Sequence, residues 1–178
     1  LPEVILQYLD IGAMGILIPG LETAEDAERA VQGAKHPPQG LRGLAGARCA
    51  DFGLTMSLGE YVRVANEEIM VLGVMESVAG VENVERILET KGIDGVSIGT
   101  NDLSQSLGVP GQTSHPLVVE AVNRVLAAGR KCGKPVGGLV RGGETPKQYI
   151  DQGYRMVLTS VYGLLVGAGR QFLNSARG

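Results

Sequence analysis

Two acidic residues follow apolar runs that have the length and composition of buried strands. Glu76 comes directly after residues 69–75, and Asp102 comes after residues 95–98 and a short polar turn. Neighbouring parallel strands lie about 4.8 Å apart and end at the same edge of a sheet, so the two carboxylates could share one ion. Carboxylates, water and substrate oxygens form a hard oxygen site that suits Mg²⁺ or Mn²⁺. Taken singly, each carboxylate could instead cap a helix or a turn.

The turn that precedes Asp102 consists of Gly99, Thr100 and Asn101. If a helix begins here, its first backbone N–H groups are free to bind an anion. We therefore expect Gly99, Thr100, Asn101 and Asp102 to contact a substrate carboxylate.

Four further basic side chains are candidates for a role in chemistry. Arg42 lies in a long glycine-rich loop, where it could meet a substrate carboxylate or anchor the loop. Arg141 follows an apolar run and could face a cleft at a strand end. His36 and His115 each precede a proline. We expect both histidines at turns or helix caps, and not as a general base.

Strand and helix patterns alternate along the whole chain. Apolar runs predict strands over residues 15–19, 69–75, 95–98, 135–140 and 155–159. Amphipathic patterns predict helices over residues 2–10, 23–35, 58–66, 79–90, 116–132, 145–152 and 162–175. This alternation predicts a single α/β domain over residues 1–178, with a parallel sheet and right-handed crossovers. Five strands cannot close an eight-stranded barrel, so the sheet is either open and doubly wound or part of a barrel.

The composition excludes several classes of protein. A hydrophobic content of 44% excludes a disordered chain. The net charge is −3 without a run of Lys or Arg, which argues against nucleic acid as a partner. No apolar run approaches the roughly 20 residues that span a bilayer, so we expect no membrane association. Cys49 and Cys132 have no metal or redox spacing, which favours reduced thiols and a cytoplasmic location.

Three segments resemble the HpcH/HpaI aldolase and citrate lyase family. They are residues 74–83 (VMESVAGVEN), 98–108 (IGTNDLSQSLG) and 37–43 (PPQGLRG). The resemblance implies a (β/α)8 TIM barrel in which this chain covers strands four to eight and lacks the first three β/α units. It also implies that Glu76 and Asp102 hold Mg²⁺, Mn²⁺ or Co²⁺.

The activity implied by the resemblance is that of a class II, metal-dependent pyruvate aldolase, a carbon–carbon lyase. In that family a 2-oxo acid chelates the metal, which stabilises an enolate that adds to an aldehyde, and no lysine Schiff base forms. The keto-binding Arg and the acid–His pair of the family would lie upstream of this chain. The alternatives are a CoA-ester lyase of the citrate lyase type and an inactive fragment that binds metal and 2-oxo acid.

The chain also departs from the family pattern in two places. Val74 stands where many of these aldolases have Gln, and Thr100 stands where many have Pro. Both changes affect which acceptor substrate is expected.

The resemblance further implies a homo-oligomer, typically a hexamer, with C-terminal helices that pack across subunits. As part of a barrel, the sheet is expected to expose the interior face of its outer strands, including Ile16, Ile18 and Val157.

Overall fold

The computed structural model describes residues 2–140 and 145–177, and at Arg177 the backbone only. Arg141, which we expected at a strand end, lies outside the described residues. The described strands are β1 (Gly15–Ile18), β2 (Met70–Met75), β3 (Gly95–Ile98), β4 (Val136–Leu139) and β5 (Met156–Leu158). The described α-helices are α1 (Pro2–Asp10), α2 (Ala24–Ala34), α3 (Leu58–Glu68), α4 (Val78–Glu82), α5 (Val84–Glu89), α6 (Thr100–Ser106), α7 (Pro116–Cys132), α8 (Pro146–Gln152) and α9 (Val161–Arg177).

The five strands form one parallel sheet in the order of the sequence, β1-β2-β3-β4-β5. Each strand pairs with the next in register, as Met75 does with Ile98 and Ile98 with Gly138. A doubly wound sheet would reverse its strand order at some point, whereas a barrel winds in one direction. The predicted parallel α/β fold is therefore confirmed, and its strand order is that of part of a TIM-type barrel.

Local sequence signals set the ends of most helices. Thr23 caps α2 and forms a reciprocal capping box with Asp26, and Thr145 does the same for α8 with Gln148. At the other end, Gly133 and Gly153 adopt the left-handed conformation that terminates α7 and α8. These caps satisfy backbone groups that the helices leave unpaired, so the chain turns at defined points between helix and strand.

The hydrophobic core lies between the sheet and the helices that cover one of its faces. Val71 and Met75 of β2 are fully buried, as are Ile87 of α5 and Val125 of α7. Within β2, residues 71, 73 and 75 share one face, so Val74 and Glu76 lie on the other face. The strand therefore directs Glu76 away from the helix-covered core.

Two sequence-based expectations about this region are wrong. The helix expected over residues 79–90 is broken into α4 and α5 at Asn83, whose side-chain amide donates to the backbone carbonyl of Glu22. Ile16, Ile18 and Val157 do not lie on an exposed face, because Ile18 is buried and the other two are half-buried. Leu17 is the exposed large side chain of β1 instead, since α1 packs on the opposite face of that strand.

Candidate metal and substrate site

Glu76 follows the last residue of β2, at the carboxyl edge of the sheet. Its Oε1 accepts a hydrogen bond of 2.8 Å from the backbone N–H of Gly20, which lies just after β1. Gly20 has a φ of +69°, a conformation that glycine adopts without steric cost. The carboxylate is therefore held by one oxygen to the neighbouring strand end.

The other oxygen of Glu76 faces the end of β3. A Cβ atom on Gly99 would lie 3.2 Å from Glu76 Oε2 and 3.0 Å from Glu76 Cβ. The same position would lie 3.1 Å from Cγ1 of Val74. Glycine at position 99 thus leaves a space beside the Glu76 carboxylate, which the Cβ of any other residue would fill. Val74 forms an apolar wall of this space.

Asp102 lies in the first turn of α6, the helix that begins directly after Gly99. Its side chain is exposed, and within residues 2–140 and 145–177 it has no hydrogen bond or ion pair. Backbone bonds from Gly99 N–H to Met75 O and from Leu103 N–H to Gly99 O fix the turn against β2. The structure therefore places Glu76 next to the turn that leads to Asp102.

The helix-cap alternative fails for both carboxylates. Ser77, not Glu76, caps α4 by accepting from the backbone N–H of Gly80. The cap position of α6 is Gly99, and Asp102 stands three residues inside the helix. An acidic residue in the first turn is favoured by the helix dipole, but this contributes only tenths of a kcal/mol, roughly 0.3–1.

The other residues of the predicted substrate segment share this short helix. Thr100 is half-buried and Asn101 is exposed. Ser104, which is fully buried, donates to the backbone carbonyl of Asn101 at 2.6 Å and accepts from the backbone N–H of Gly111 at 2.9 Å. These bonds fix the backbone of the segment that precedes and includes Asp102.

The loop after β1 is the part of the site that the sequence did not predict. Besides the bond from Gly20, its Leu21 carbonyl lies 2.8 Å from the position of a Cβ on Gly80. The Glu22 carbonyl accepts from Asn83. The only sequence signal was the pair Pro19-Gly20 directly after a strand, a turn signal that carries no chemistry of its own.

Among the described residues, no group of three or more His, Cys, Asp or Glu side chains is placed to hold a metal. Two carboxylates at this edge would therefore leave most of the coordination to substrate and water.

Both histidines lie away from the Glu76 carboxylate. His115 caps α7, as expected, with Nδ1 accepting from the backbone N–H of Leu117. His36 begins the turn after α2, but its ring is buried edge-on against Tyr61.

Arg42 anchors its loop and is fully buried. Its Nη2 donates to Asp10 at 2.8 Å and to the Tyr61 hydroxyl at 3.2 Å, and its backbone carbonyl contacts Nδ1 of His36 at 3.1 Å. Burial and a contact with the Cys49 thiol raise the pKa of Tyr61 to about 12, so the phenol stays protonated at neutral pH. Of the two roles considered for Arg42, the structure supports the anchoring role.

A parallel sheet whose strand order follows the sequence, with the candidate site residues at its carboxyl edge, is the arrangement of barrel-type α/β proteins. Residues 2–166 match the HpcH/HpaI aldolase/citrate lyase family. The chain belongs to this family.

Named relatives agree with this assignment. The chain is 38% identical over 158 residues to the 4-hydroxy-2-oxovalerate aldolase of Rhodococcus jostii, a match that covers 89% of the chain and 60% of the relative. It is 38% identical over 157 residues to the 5-keto-4-deoxy-D-glucarate aldolase of Klebsiella pneumoniae, covering 88% and 60%. The chain thus spans about 60% of the length of these curated relatives.

A solved structure shows the same fold. An HpcH/HpaI aldolase/citrate lyase family protein from Burkholderia cenocepacia superposes with a TM-score of 0.93 at 38% identity, over 100% of this chain and 70% of the other. Separately, no helix among the described residues is long and apolar enough to cross a membrane.

Proposed function

We propose that this protein is a divalent-metal-dependent carbon–carbon lyase that forms or cleaves the aldols of 2-oxo acids. The observation that carries the proposal is the position of the Glu76 carboxylate, with Oε2 facing Gly99 three residues before Asp102. Membership of a family whose named relatives include two aldolases supports the same reaction class.

The residues at the carboxyl edge fit a hard divalent cation. Glu76 uses Oε1 to accept from Gly20, which leaves Oε2 on the side of the space beside Gly99. Asp102 supplies a second, exposed carboxylate without a partner in the described part of the chain. An all-oxygen donor set of this kind suits Mg²⁺, Mn²⁺ or Co²⁺ as cofactor, and the ion would supply Lewis acidity towards the keto oxygen of the substrate.

The remaining parts of the site would bind and orient the substrate. We assign Gly99, Thr100, Asn101 and Asp102 to the 2-oxo acid. Its carboxylate would accept from backbone N–H groups of residues 100–102, since the N–H of Gly99 already donates to Met75. The hydrogen bond from Gly20 holds Glu76 in one orientation. The apolar side chain of Val74 borders the same space and would exclude water from one side of the reacting aldehyde.

The five strands correspond, in this proposal, to strands four to eight of an eight-stranded barrel formed by a single domain. The sequential strand order and the 60% coverage of the relatives support this assignment. The keto-binding Arg and the acid–His pair would then come from the first three units. None of His36, His115 and Arg42 takes their place, because their contacts lie in caps and in the anchored loop.

We also propose that the protein is a cytoplasmic homo-oligomer, a hexamer by analogy with the family. Apolar side chains are exposed along α9, including Tyr162 at 82%, Leu165 at 65% and Phe172 at 72%. Exposure of this extent on one helix is typical of a surface covered by another chain or by another part of the protein. Cys49 and Cys132 are both free, which suits a reducing compartment.

The test of the proposed function is a retro-aldol assay that measures pyruvate released from 4-hydroxy-2-oxo acids, with and without a chelator. We expect release by the chain joined to the first three barrel units, loss of release with the chelator, and recovery on addition of Mn²⁺ or Mg²⁺. The variants Glu76→Gln and Asp102→Asn should lower the rate at least a hundredfold. Glu120→Gln, an exposed carboxylate of α7, serves as the matched control.

The 178 residues alone should release little pyruvate, because they lack the upstream Arg and His. Equal rates for the short and the extended chain would refute the assignment of essential groups to the first three units. Release that persists in the chelator would refute the metal dependence.

A further inference from the structure

A groove of about 650 Å³ lies at the edge of the sheet opposite Glu76. It is formed where α7 and α8 end and where β4 and β5 begin. Three basic residues line it, Arg130 at the end of α7, Lys134 before β4 and Arg155 before β5. Leu126, Ile150 and Tyr154 provide apolar walls.

The charge of this groove is unbalanced. Its described lining contains three cationic side chains and no Asp or Glu. Neither Arg130 nor Arg155 has a side-chain hydrogen bond or an ion pair with any described residue. Lys134 donates through Nζ to the backbone carbonyl of Ile93 at 2.7 Å, a bond that fixes its ammonium group without neutralising it.

Helix ends explain only part of this arrangement. A basic residue in the last turn of a helix is favoured by the helix dipole, which accounts for Arg130 on α7. It does not account for Arg155 and Lys134, which lie outside helices and converge on the same concave surface. Like charges held together in a groove repel one another, and this repulsion is relieved when an anion binds between them.

We propose that this groove binds a phosphorylated small molecule. Two guanidinium groups without partners among the described residues are suited to phosphate, because each can donate two parallel hydrogen bonds to its oxygens. The apolar walls would contact an uncharged part of the ligand, and the volume lies within the range of about 300–1,000 Å³ typical of small-molecule sites. The inference goes beyond the proposed lyase activity and does not depend on it, since Glu76 and Asp102 take no part.

The experiment is calorimetric titration of the purified protein with inorganic pyrophosphate and with adenosine diphosphate, in EDTA and at low salt. EDTA removes any contribution of a metal at Glu76. We expect saturable binding of both probes, tighter for the nucleotide, and at least tenfold weaker binding in the double variant Arg130→Gln/Arg155→Gln. The matched control is Arg29→Gln/Arg63→Gln, which removes the same charge from exposed positions on α2 and α3.

The absence of saturable binding at millimolar probe would overturn the proposal. So would an equal loss of affinity in the two double variants, because that would indicate only the general field of the protein. The single variant Arg155→Gln, at an exposed position, is tested beside the double variant in case the latter fails to fold. Sedimentation with vesicles that contain phosphatidylinositol phosphate separates a free phosphate ester from a lipid headgroup. Binding to vesicles without binding to pyrophosphate would also overturn the proposal.

Discussion

The carboxylate of Glu76 and the backbone N–H of Gly20 are joined by a hydrogen bond of 2.8 Å across 56 residues of sequence. The bond crosses from the end of β2 to the end of β1, whereas the second oxygen of Glu76 faces Gly99 at the end of β3. One side chain therefore links three consecutive strand ends. This arrangement fixes the orientation of the carboxylate before any ligand binds, as a preorganised site requires.

Replacing Gly99 with alanine should disturb this carboxylate directly. The added Cβ would lie 3.0 Å from Glu76 Cβ and 3.2 Å from Oε2, so Glu76 must shift. We expect the affinity for Mn²⁺ to fall about tenfold, equivalent to about 1.4 kcal/mol. The measurement is calorimetric titration with Mn²⁺, and Gly59→Ala, where a Cβ would meet no atom within 4 Å, is the control. Equal affinities in the two variants would show that the space beside Gly99 is not part of the site.

Asp102→Asn should separate metal binding from stability. The carboxylate is exposed and has no partner in the described residues, so its charge contributes little to folding. We expect the free energy of unfolding in urea to change by no more than about 0.5 kcal/mol, whereas Mn²⁺ binding is lost. Retention of Mn²⁺ binding in a folded Asp102→Asn protein would remove Asp102 from the site.

Arg42→Ala should be strongly destabilising. The guanidinium is fully buried, and its loss leaves Asp10 and Tyr61 without their shared donor. Since the Asp10 side chain is 30% exposed, we expect the free energy of unfolding to fall by about 3 kcal/mol, at the lower end of the range for broken buried ion pairs. This change is measured by unfolding in urea. Arg63→Ala breaks the exposed pair with Glu67 and should cost at most about 0.5 kcal/mol; similar losses in the two variants would contradict the anchoring role.

His36 should make the stability depend on pH near neutrality. Burial lowers the pKa of its ring below the usual 6.5, and Nε2 has no hydrogen-bond partner in the described structure. The unfolded chain therefore binds a proton before the folded protein does, so stability is full above pH 6.5 and falls as the pH decreases through that value. Urea unfolding at pH 7.5 and 5.5 measures the change.

The variant His36→Gln should show a smaller decrease between these two pH values. His115→Gln is the matched control, because it removes the other histidine of the chain, which lies at a helix cap. If the stability of His36→Gln still falls fully between pH 7.5 and 5.5 and that of His115→Gln does not, the pH dependence does not arise from His36.

Much of the architecture follows from local patterns. The apolar runs placed all five strands to within two residues, because buried parallel strands read as continuous hydrophobic segments. The positions of Glu76 and Asp102 relative to the strands could be predicted for the same reason, since each follows such a run. Their role as metal ligands stays a prediction. The break between α4 and α5 could not be predicted from local patterns. The side chain of Asn83 at this break donates to the carbonyl of Glu22, which is distant in sequence.

The order of strands and helices follows from local patterns, as do the positions of one carboxylate directly after β2 and another shortly after β3. The packing of helices on the sheet makes Ile18 buried and Leu17 exposed, because the buried face of a strand depends on which helix packs against it. Only the tertiary structure joined Gly20 to Glu76 and gathered Arg130, Lys134 and Arg155 in one groove. Hydrophobic periodicity is a local property of the chain, whereas a contact between distant residues exists only once the strands are paired and the helices packed.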